Sequence, residues 1–193
     1  MKHNFIVELS GVIKDAALFF CPLLLPVGIE KAHRKKYNYL PAGEREENIG
    51  CDLNDTAWFD KNDAQDGAVF YAAGVFYYFL TDQVKALVQK MTERFPGGKL
   101  VFDAAGKSAV KVMLKTWIKD AQIKDVGAYF AVADAKRQLS GWSPDITVSS
   151  RVYMLGYQSL DDPLLKRFYR LLAKIGDGMM KMRIVRIDFN ENR

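Results

Sequence analysis

The 193-residue chain has little of what most catalytic and metal sites are built from. It holds two histidines, His3 and His33, and two cysteines, Cys21 and Cys51, at no spacing that favours a metal or redox site. His33 stands among lysine and arginine residues, which favours a solvated charge run over a catalytic base. The sequence therefore predicts no metal site and no histidine chemistry. The cysteine usage is typical of reduced, buried thiols in the cytoplasm.

Long apolar runs and strong charge are also lacking. The apolar run Ala16–Val27 contains two prolines and falls short of the roughly 20 residues that a membrane helix needs. The net charge of +5 is mild, and no basic tail marks a nucleic-acid reader. These absences predict a protein that binds neither membrane nor nucleic acid. The length suits one domain over residues 1–193, with an atypical N-terminal segment at 1–25.

What the chain does contain is a strand, helix, strand pattern over Gly67–Ala105. Two apolar runs, Ala68–Phe79 and Lys99–Ala105, flank a segment whose apolar residues recur at helical spacing: Val84, Leu87, Val88 and Met91. Thr81 is placed to cap this helix, and Asp82 puts a carboxylate in its first turn. The pattern predicts a βαβ unit with parallel strands.

The carboxyl ends of these strands are the expected place for function. Near-continuous apolar runs indicate strands that are covered on both faces. Open parallel sheets bind ligands at the carboxyl ends of their strands. The residues that follow the first strand, Ala72–Tyr78, are therefore where we expect a binding site.

The second half of the chain continues the alternation of helices and strands. It predicts a helix over Lys107–Lys119 and a strand over Ile146–Leu155. A further helix is predicted from Asp162 to Gly176, with a proline in its first turn and a buried stripe of Leu164, Leu165, Phe168, Leu171, Leu172 and Ile175. The last strand, in Met180–Phe189, alternates polar and apolar residues, which is typical of a position near a sheet edge.

The central unit also resembles a known family. The run AVFYAAGVFYYFLTDQVKALVQKMTERFPGGKLVFDA, preceded by REENIGCDLND, is similar to the leucine carboxyl methyltransferase and polyketide-type O-methyltransferase family. The most specific parts are the glycine after the first strand, the aromatic pair that follows it, and FPGG-x-L-V-F-D. The resemblance covers about Glu30–Phe189. It implies an α/β fold: the Rossmann-like sheet of S-adenosylmethionine-dependent methyltransferases, with helices on both faces.

The resemblance also implies a cofactor site for S-adenosylmethionine. Asp52 would accept the adenine amino group, and Leu53 would lie beside the ring. Three small residues would line the methionine and sulfonium end of the cofactor: Ala72, Ala73 and Gly74. Family members often carry a glutamate where Ala73 stands. Tyr77 and Tyr78 would face the substrate pocket, and core packing is the alternative for this aromatic run.

Two parts of the family pattern are not visible. They are the first strand with its glycine-rich turn, and the acidic residue that ends the second strand. Leu9–Val12 and Leu25–Glu30 resemble the flanks of this block, so the N-terminal strand block is expected to be truncated and cofactor binding weak. One hypothesis is an O-methyltransferase acting on a carboxylate or hydroxyl of a small or peptidic acceptor. The alternative is an inactive remnant that acts by binding or self-association.

Truncation would leave the strand at Ala68–Ala73 with one unpaired edge. Such an edge recruits another extended chain. Either the run Ala16–Leu25 folds back as a substitute strand, or a second copy covers the edge. Pro22 disfavours the first arrangement, because proline removes a ladder donor. The sequence therefore favours a homodimer formed through the N-terminal segment or the open edge.

Overall fold

A computed structural model of the chain describes residues 5–8, 53–61, 68–113, 115, 129–155 and 166–191. In these parts of the chain, five strands form one sheet in the order β1-β2-β3-β5-β4. The strands are β1 (Phe5–Glu8), β2 (Ala68–Ala72), β3 (Lys99–Ala104), β4 (Ile146–Val152) and β5 (Arg183–Phe189). Strands β1, β2 and β3 are parallel, and β5 runs antiparallel to both of its neighbours, β3 and β4.

The helices alternate with the strands, and the predicted α/β class and βαβ unit are confirmed. They are α1 (Thr81–Arg94), α2 (Lys107–Met113), α3 (Ala135–Leu139) and α4 (Arg167–Gly178). Short 3-10 turns lie at Thr56–Lys61, Phe76–Tyr78 and Ser140–Trp142. Helix α2 begins where the sequence predicts it, and most of the predicted remainder lies outside the described residues. None of the described helices is long and apolar enough to cross a membrane.

Helix α1 buries the predicted stripe of Val84, Leu87, Val88 and Met91. Its cap differs from the prediction, because Leu80 is the N-cap and Thr81 is already the first helical residue. The backbone N–H of Leu80 donates to the side-chain oxygen of Gln83 at 2.8 Å, which satisfies the N-cap N–H as a capping box does. Asp82 lies in the first turn, as predicted.

One face of the sheet is buried along its central strands. Alternate residues of its central strands are each 0% exposed: Phe70, Ala72, Leu100, Phe102, Val185 and Ile187. On the other face Tyr71 is 40% exposed, and Val69 and Val101 are half-buried. Among the described residues this second face is therefore less completely buried than the first. The strand sequences are nearly continuous apolar runs because this face also carries apolar side chains.

The edge of β2 is paired. Strand β1 runs parallel to it, with Phe5 opposite Ala68 and Glu8 opposite Tyr71. The expectation of a bare β2 edge is therefore wrong, since Phe5–Glu8 supplies a first strand. This strand is only four residues long, too short for periodicity to reveal, although its phenylalanine, isoleucine and valine all favour strands. The residues between β1 and Leu53 lie outside the described residues.

Helix α4 differs most from the prediction. It begins at Arg167 rather than Asp162 and ends at Gly178 rather than Gly176. The proposed Asp162 cap, with Leu164 and Leu165, lies outside the described residues. The predicted stripe is wrong for Phe168, Leu171 and Leu172, which are 61%, 55% and 44% exposed. Ile175, its last residue, is half-buried.

The helix packs through its last turns instead. Ala173, Gly176 and Asp177 are buried there. A Cβ built on Gly176 would lie 3.3 Å from the sulfur of Met182, so the close approach depends on small residues. Hydrophobic spacing shows which face of a helix is apolar, and the packing shows that α4 buries a different one.

Strand β5 lies inside the sheet, next to β4, which is the last strand of the described sheet. The predicted position near an edge is therefore correct, although β5 is not itself the edge strand. Val185, Ile187 and Phe189 are buried while Arg186 is exposed. Exposed and buried residues alternate along β5 because one face of the sheet is more exposed than the other, not because β5 is an edge strand.

A buried carboxylate joins α4 to the end of β4. Asp177 is 4% exposed and accepts hydrogen bonds from the backbone N–H groups of Met154, at 2.9 and 3.2 Å, and Leu155, at 2.7 Å. A carboxylate near a helix C-terminus is disfavoured by the helix dipole, and these donors offset that cost. The contact fixes the residues that follow β4 at the carboxyl edge of β2 and β3.

Candidate functional site

The residues that follow β2 turn sharply at the carboxyl edge of the sheet. Ala72 is fully buried, Ala73 is half-buried and Gly74 is exposed. Gly74 has a φ of +67°, and a Cβ built on it would meet nothing within 4 Å. Glycine is therefore required by the backbone conformation rather than by lack of space. All three predicted cofactor-lining residues stand at this turn, with open space in front of Gly74.

A carboxylate that the sequence analysis gave no role holds the turn in place. Asp103, the next-to-last residue of β3, accepts a hydrogen bond from the backbone N–H of Gly74 at 2.6 Å. The two residues are 29 positions apart in the chain, and the parallel pairing of β2 and β3 brings them together. The only sequence signal was an acidic residue ending an apolar strand, in K-L-V-F-D.

Tyrosine side chains surround this carboxylate. Burial raises the pKa of the Tyr77 hydroxyl far above its ordinary value of 10.0, and the charge of Asp103 and a hydrogen bond to it raise that pKa further. Burial and then Asp103 likewise raise the pKa values of Tyr78 and Tyr153. Tyr77 and Tyr78 were predicted to face a pocket, and the structure brings both to Asp103. Tyr153, which follows β4, was missed.

The Tyr77 hydroxyl therefore stays protonated in the folded protein at a pH where the unfolded chain ionises. Since its folded pKa is raised, its contribution to stability is complete below about pH 10 and is lost as the pH rises further. We expect the free energy of unfolding to fall more between about pH 8 and about pH 10.5 in the wild type than in Tyr77→Phe. Urea unfolding at both pH values measures this, and equal losses in the two proteins would contradict it.

A second concave feature lies beside the same loop. It is a slot of about 140 Å³ lined by the side of α1, the 3-10 turn after β2 and the segment at Leu53. Leu53 is 2% exposed, and the phenylalanines Phe76 and Phe79 form the apolar wall. The predicted role of Leu53 beside a flat ring is compatible with this position. Asp52, its predicted partner, lies outside the described residues.

Amide groups form the rim of the slot. The Gln83 side chain accepts from the backbone N–H of Leu80 and donates to the side-chain oxygen of Asn54 at 3.2 Å. The first turn of α1 is thereby connected to the segment that contains Leu53. Ligand sites for small molecules are usually apolar and carry a few fixed polar groups.

No family model and no curated protein matches the chain. Solved structures do match it. A candidate methyltransferase from Thermobifida fusca YX superposes with a TM-score of 0.51 at 12% identity, over 84% of this chain and 59% of that one. An O-methyltransferase family protein from Burkholderia thailandensis gives 0.49 at 14% identity, over 88% and 43%. A SAM-dependent methyltransferase from Anabaena variabilis gives 0.48 at 9%, over 82% and 63%.

The chain has a methyltransferase fold. It spans between 43% and 63% of the length of these three solved structures. At 9 to 14% identity the likeness concerns architecture alone. Activity, cofactor and acceptor have to be argued from the residues of this chain.

The described residues fit parts of S-adenosylmethionine. A slot of about 140 Å³ is below the roughly 300 Å³ of a small-molecule pocket, so it suits one ring system rather than the whole cofactor. The small side chains at Ala72 and Ala73 and the open space at Gly74 leave room at the strand end. A carboxylate at Asp103 suits a positively charged group.

Proposed function

We propose that this methyltransferase-fold chain binds S-adenosylmethionine and transfers its methyl group to a carboxylate or hydroxyl oxygen of a small or peptidic acceptor, as an O-methyltransferase similar to the leucine carboxyl methyltransferase and polyketide-type family. The observation that carries the proposal is the hydrogen bond of 2.6 Å between the Gly74 N–H and Asp103. It builds a turned loop with a fixed carboxylate at the edge where parallel sheets bind ligands.

Each part of the site has a role in this proposal. The cofactor supplies an activated methyl group on a sulfonium. Leu53 and the slot would hold the adenine ring, and the loop after β2 would hold the amino-acid end. Methyl transfer depends mainly on the alignment of donor and acceptor, so a site without a histidine base is sufficient. The apolar slot and the loop would position the cofactor and exclude water from one side of it.

The alternative is an inactive remnant that binds without catalysis. The size of the slot favours it, since about 140 Å³ holds only a fraction of a nucleoside cofactor. The alanine at position 73, where the family often carries a glutamate, also favours it. Binding and transfer measurements separate the two readings.

Calorimetry with S-adenosylhomocysteine tests the binding step. We expect saturable binding by the wild type and its loss in Ala86→Phe, because Ala86 is an exposed residue on the wall of the slot and a larger side chain fills it. Glu93→Phe is the matched control, since Glu93 is exposed on the same helix but is not part of the slot. A wild type that shows no binding, or loss in both variants, would overturn the assignment of the slot.

Methyl transfer is measured with methyl-labelled S-adenosylmethionine and a panel of carboxylic acids and phenols. Label that moves to one of these acceptors supports the enzyme. Binding of the cofactor with no transfer to any carboxylic acid or phenol supports the remnant.

A further inference from the structure

In the described part of the chain, no basic side chain forms an ion pair with the Asp103 carboxylate. Its partners there are the Gly74 N–H and the Tyr77 hydroxyl, both uncharged, and the described ion pairs involve other carboxylates. The Arg183 guanidinium donates to the backbone oxygens of Asp177 and Met182, at 3.1 and 3.3 Å.

Two arginines share the face of the sheet on which Asp103 lies. Arg186 is opposite Val101, two residues before Asp103 on β3, and its guanidinium forms an ion pair with Asp188. Arg151 is opposite Ile184 on β5, and Ile184 is opposite Asp103 on β3, so two strand spacings separate the arginine from the carboxylate. Strands lie about 4.8 Å apart, which places the two backbones about 10 Å from one another. Arg151 is exposed and faces solvent, where its charge is screened.

Aromatic rings stand around the same carboxylate. Tyr71 is opposite Val101, two residues before Asp103 on β3, so its side chain lies on the same face. Tyr153 directly follows β4, where its backbone N–H donates to Met182 at 3.2 Å. Both rings are 40% exposed and therefore accessible to a ligand. Tyr78 is half-buried and close enough to Asp103 for that carboxylate to raise its pKa, after the larger effect of burial. Aromatic faces attract cations, most strongly where water is partly excluded.

We propose that Asp103, with the rings of Tyr71, Tyr78 and Tyr153, forms a binding site for a positively charged group of a small molecule. Two groups have this chemistry: the sulfonium of S-adenosylmethionine, and an ammonium group of the cofactor or of another ligand. The sulfonium source rests on the proposed function. The ammonium source does not, because any small amine can supply it.

Calorimetry with three probes on the wild type and Asp103→Asn distinguishes these sources. The asparagine keeps an oxygen that accepts from the Gly74 N–H, so the loop geometry is preserved. S-adenosylmethionine carries the sulfonium charge, S-adenosylhomocysteine has a neutral sulfur, and choline is a simple ammonium. We expect Asp103→Asn to weaken S-adenosylmethionine binding about tenfold and S-adenosylhomocysteine binding by less than about threefold.

Other outcomes are equally decisive. Equal weakening of all three probes assigns the site to an ammonium group. Choline binding that depends on Asp103, with no binding of either nucleoside, upholds the cation site and rejects the proposed function. A wild type that binds neither cation, or an Asp103→Asn protein that binds all probes like the wild type, overturns the cation site. Weakening of both nucleosides alone, with choline unaffected, also overturns it.

Two controls separate charge and ring effects from damage to the fold. Asp145→Asn makes the same charge change in an exposed residue just before β4, at the opposite edge of the sheet, and should leave all three affinities unchanged. Tyr153→Leu should weaken cation binding while Tyr153→Phe, which keeps the ring, should not. Equal effects of the leucine and phenylalanine variants would remove the ring from the site.

Discussion

Replacing Phe102 with alanine is expected to lower the free energy of unfolding by about 3–5 kcal/mol. Phe102 is 0% exposed in the centre of β3, and its ring lies 5.1 Å from that of Phe76 and 6.2 Å from that of Phe130. Truncation leaves a cavity between three elements that cannot all close on it. Urea unfolding, followed by circular dichroism, measures the change.

The matched control is the same substitution on α4. Phe168 is 61% exposed, so Phe168→Ala should change the free energy of unfolding by about 0.5 kcal/mol or less. The hydrophobic spacing of α4 predicts instead a loss of about 3–5 kcal/mol at Phe168 as well. A loss at Phe168 as large as that at Phe102 would mean that the exposed face of α4 is covered in solution.

Deletion of residues 1–8 is expected to convert the protein into higher-mass, self-associated species. Strand β1 pairs with β2 from Phe5 to Glu8, and its removal exposes a row of unpaired backbone groups on an apolar strand. Light scattering and size exclusion of purified protein detect the change. Deletion of residues 1–4 retains β1 and is the matched control.

The outcome also bears on the homodimer. A dimer of the intact chain stays a proposal, and it now depends on the outer edge of β1 instead of the edge of β2. If the 1–8 deletion stays monomeric and folded, then β1 is not what protects β2. If the 1–4 deletion associates as strongly, then the extreme N-terminus matters more than the strand pairing.

The parts of the fold that local chemistry determines could be predicted from the sequence. Helix α1 and the strands on either side follow from periodicity, a first-turn aspartate and a proline-glycine turn, all within 40 residues. The N-cap at Leu80 could not be predicted, because a leucine has no capping side chain and Gln83 reaches back to satisfy its N–H instead.

The parts that depend on distant partners could not be predicted. Asp103 gains its role from Gly74 and from tyrosines on two other segments, and no local pattern marks that meeting. Strand β1 has only four residues, too few to show alternation. The predicted small residues at 72–74 and the two tyrosines do stand at the edge of the sheet, since strand ends are set by the strands themselves.

The hydrogen bonds to Asp177 make the position of the chain beside the proposed cation site depend on the last turn of α4. The backbone N–H groups of Met154 and Leu155 both donate to this carboxylate, and Tyr153 directly precedes these two residues. Local opening of the last turn of α4 would release these two amides together, while Tyr153 keeps the hydrogen bond from its backbone N–H to Met182. The chain that leaves Tyr153 at the proposed cation site therefore keeps its position only while the end of α4, a helix with a largely exposed surface, stays folded.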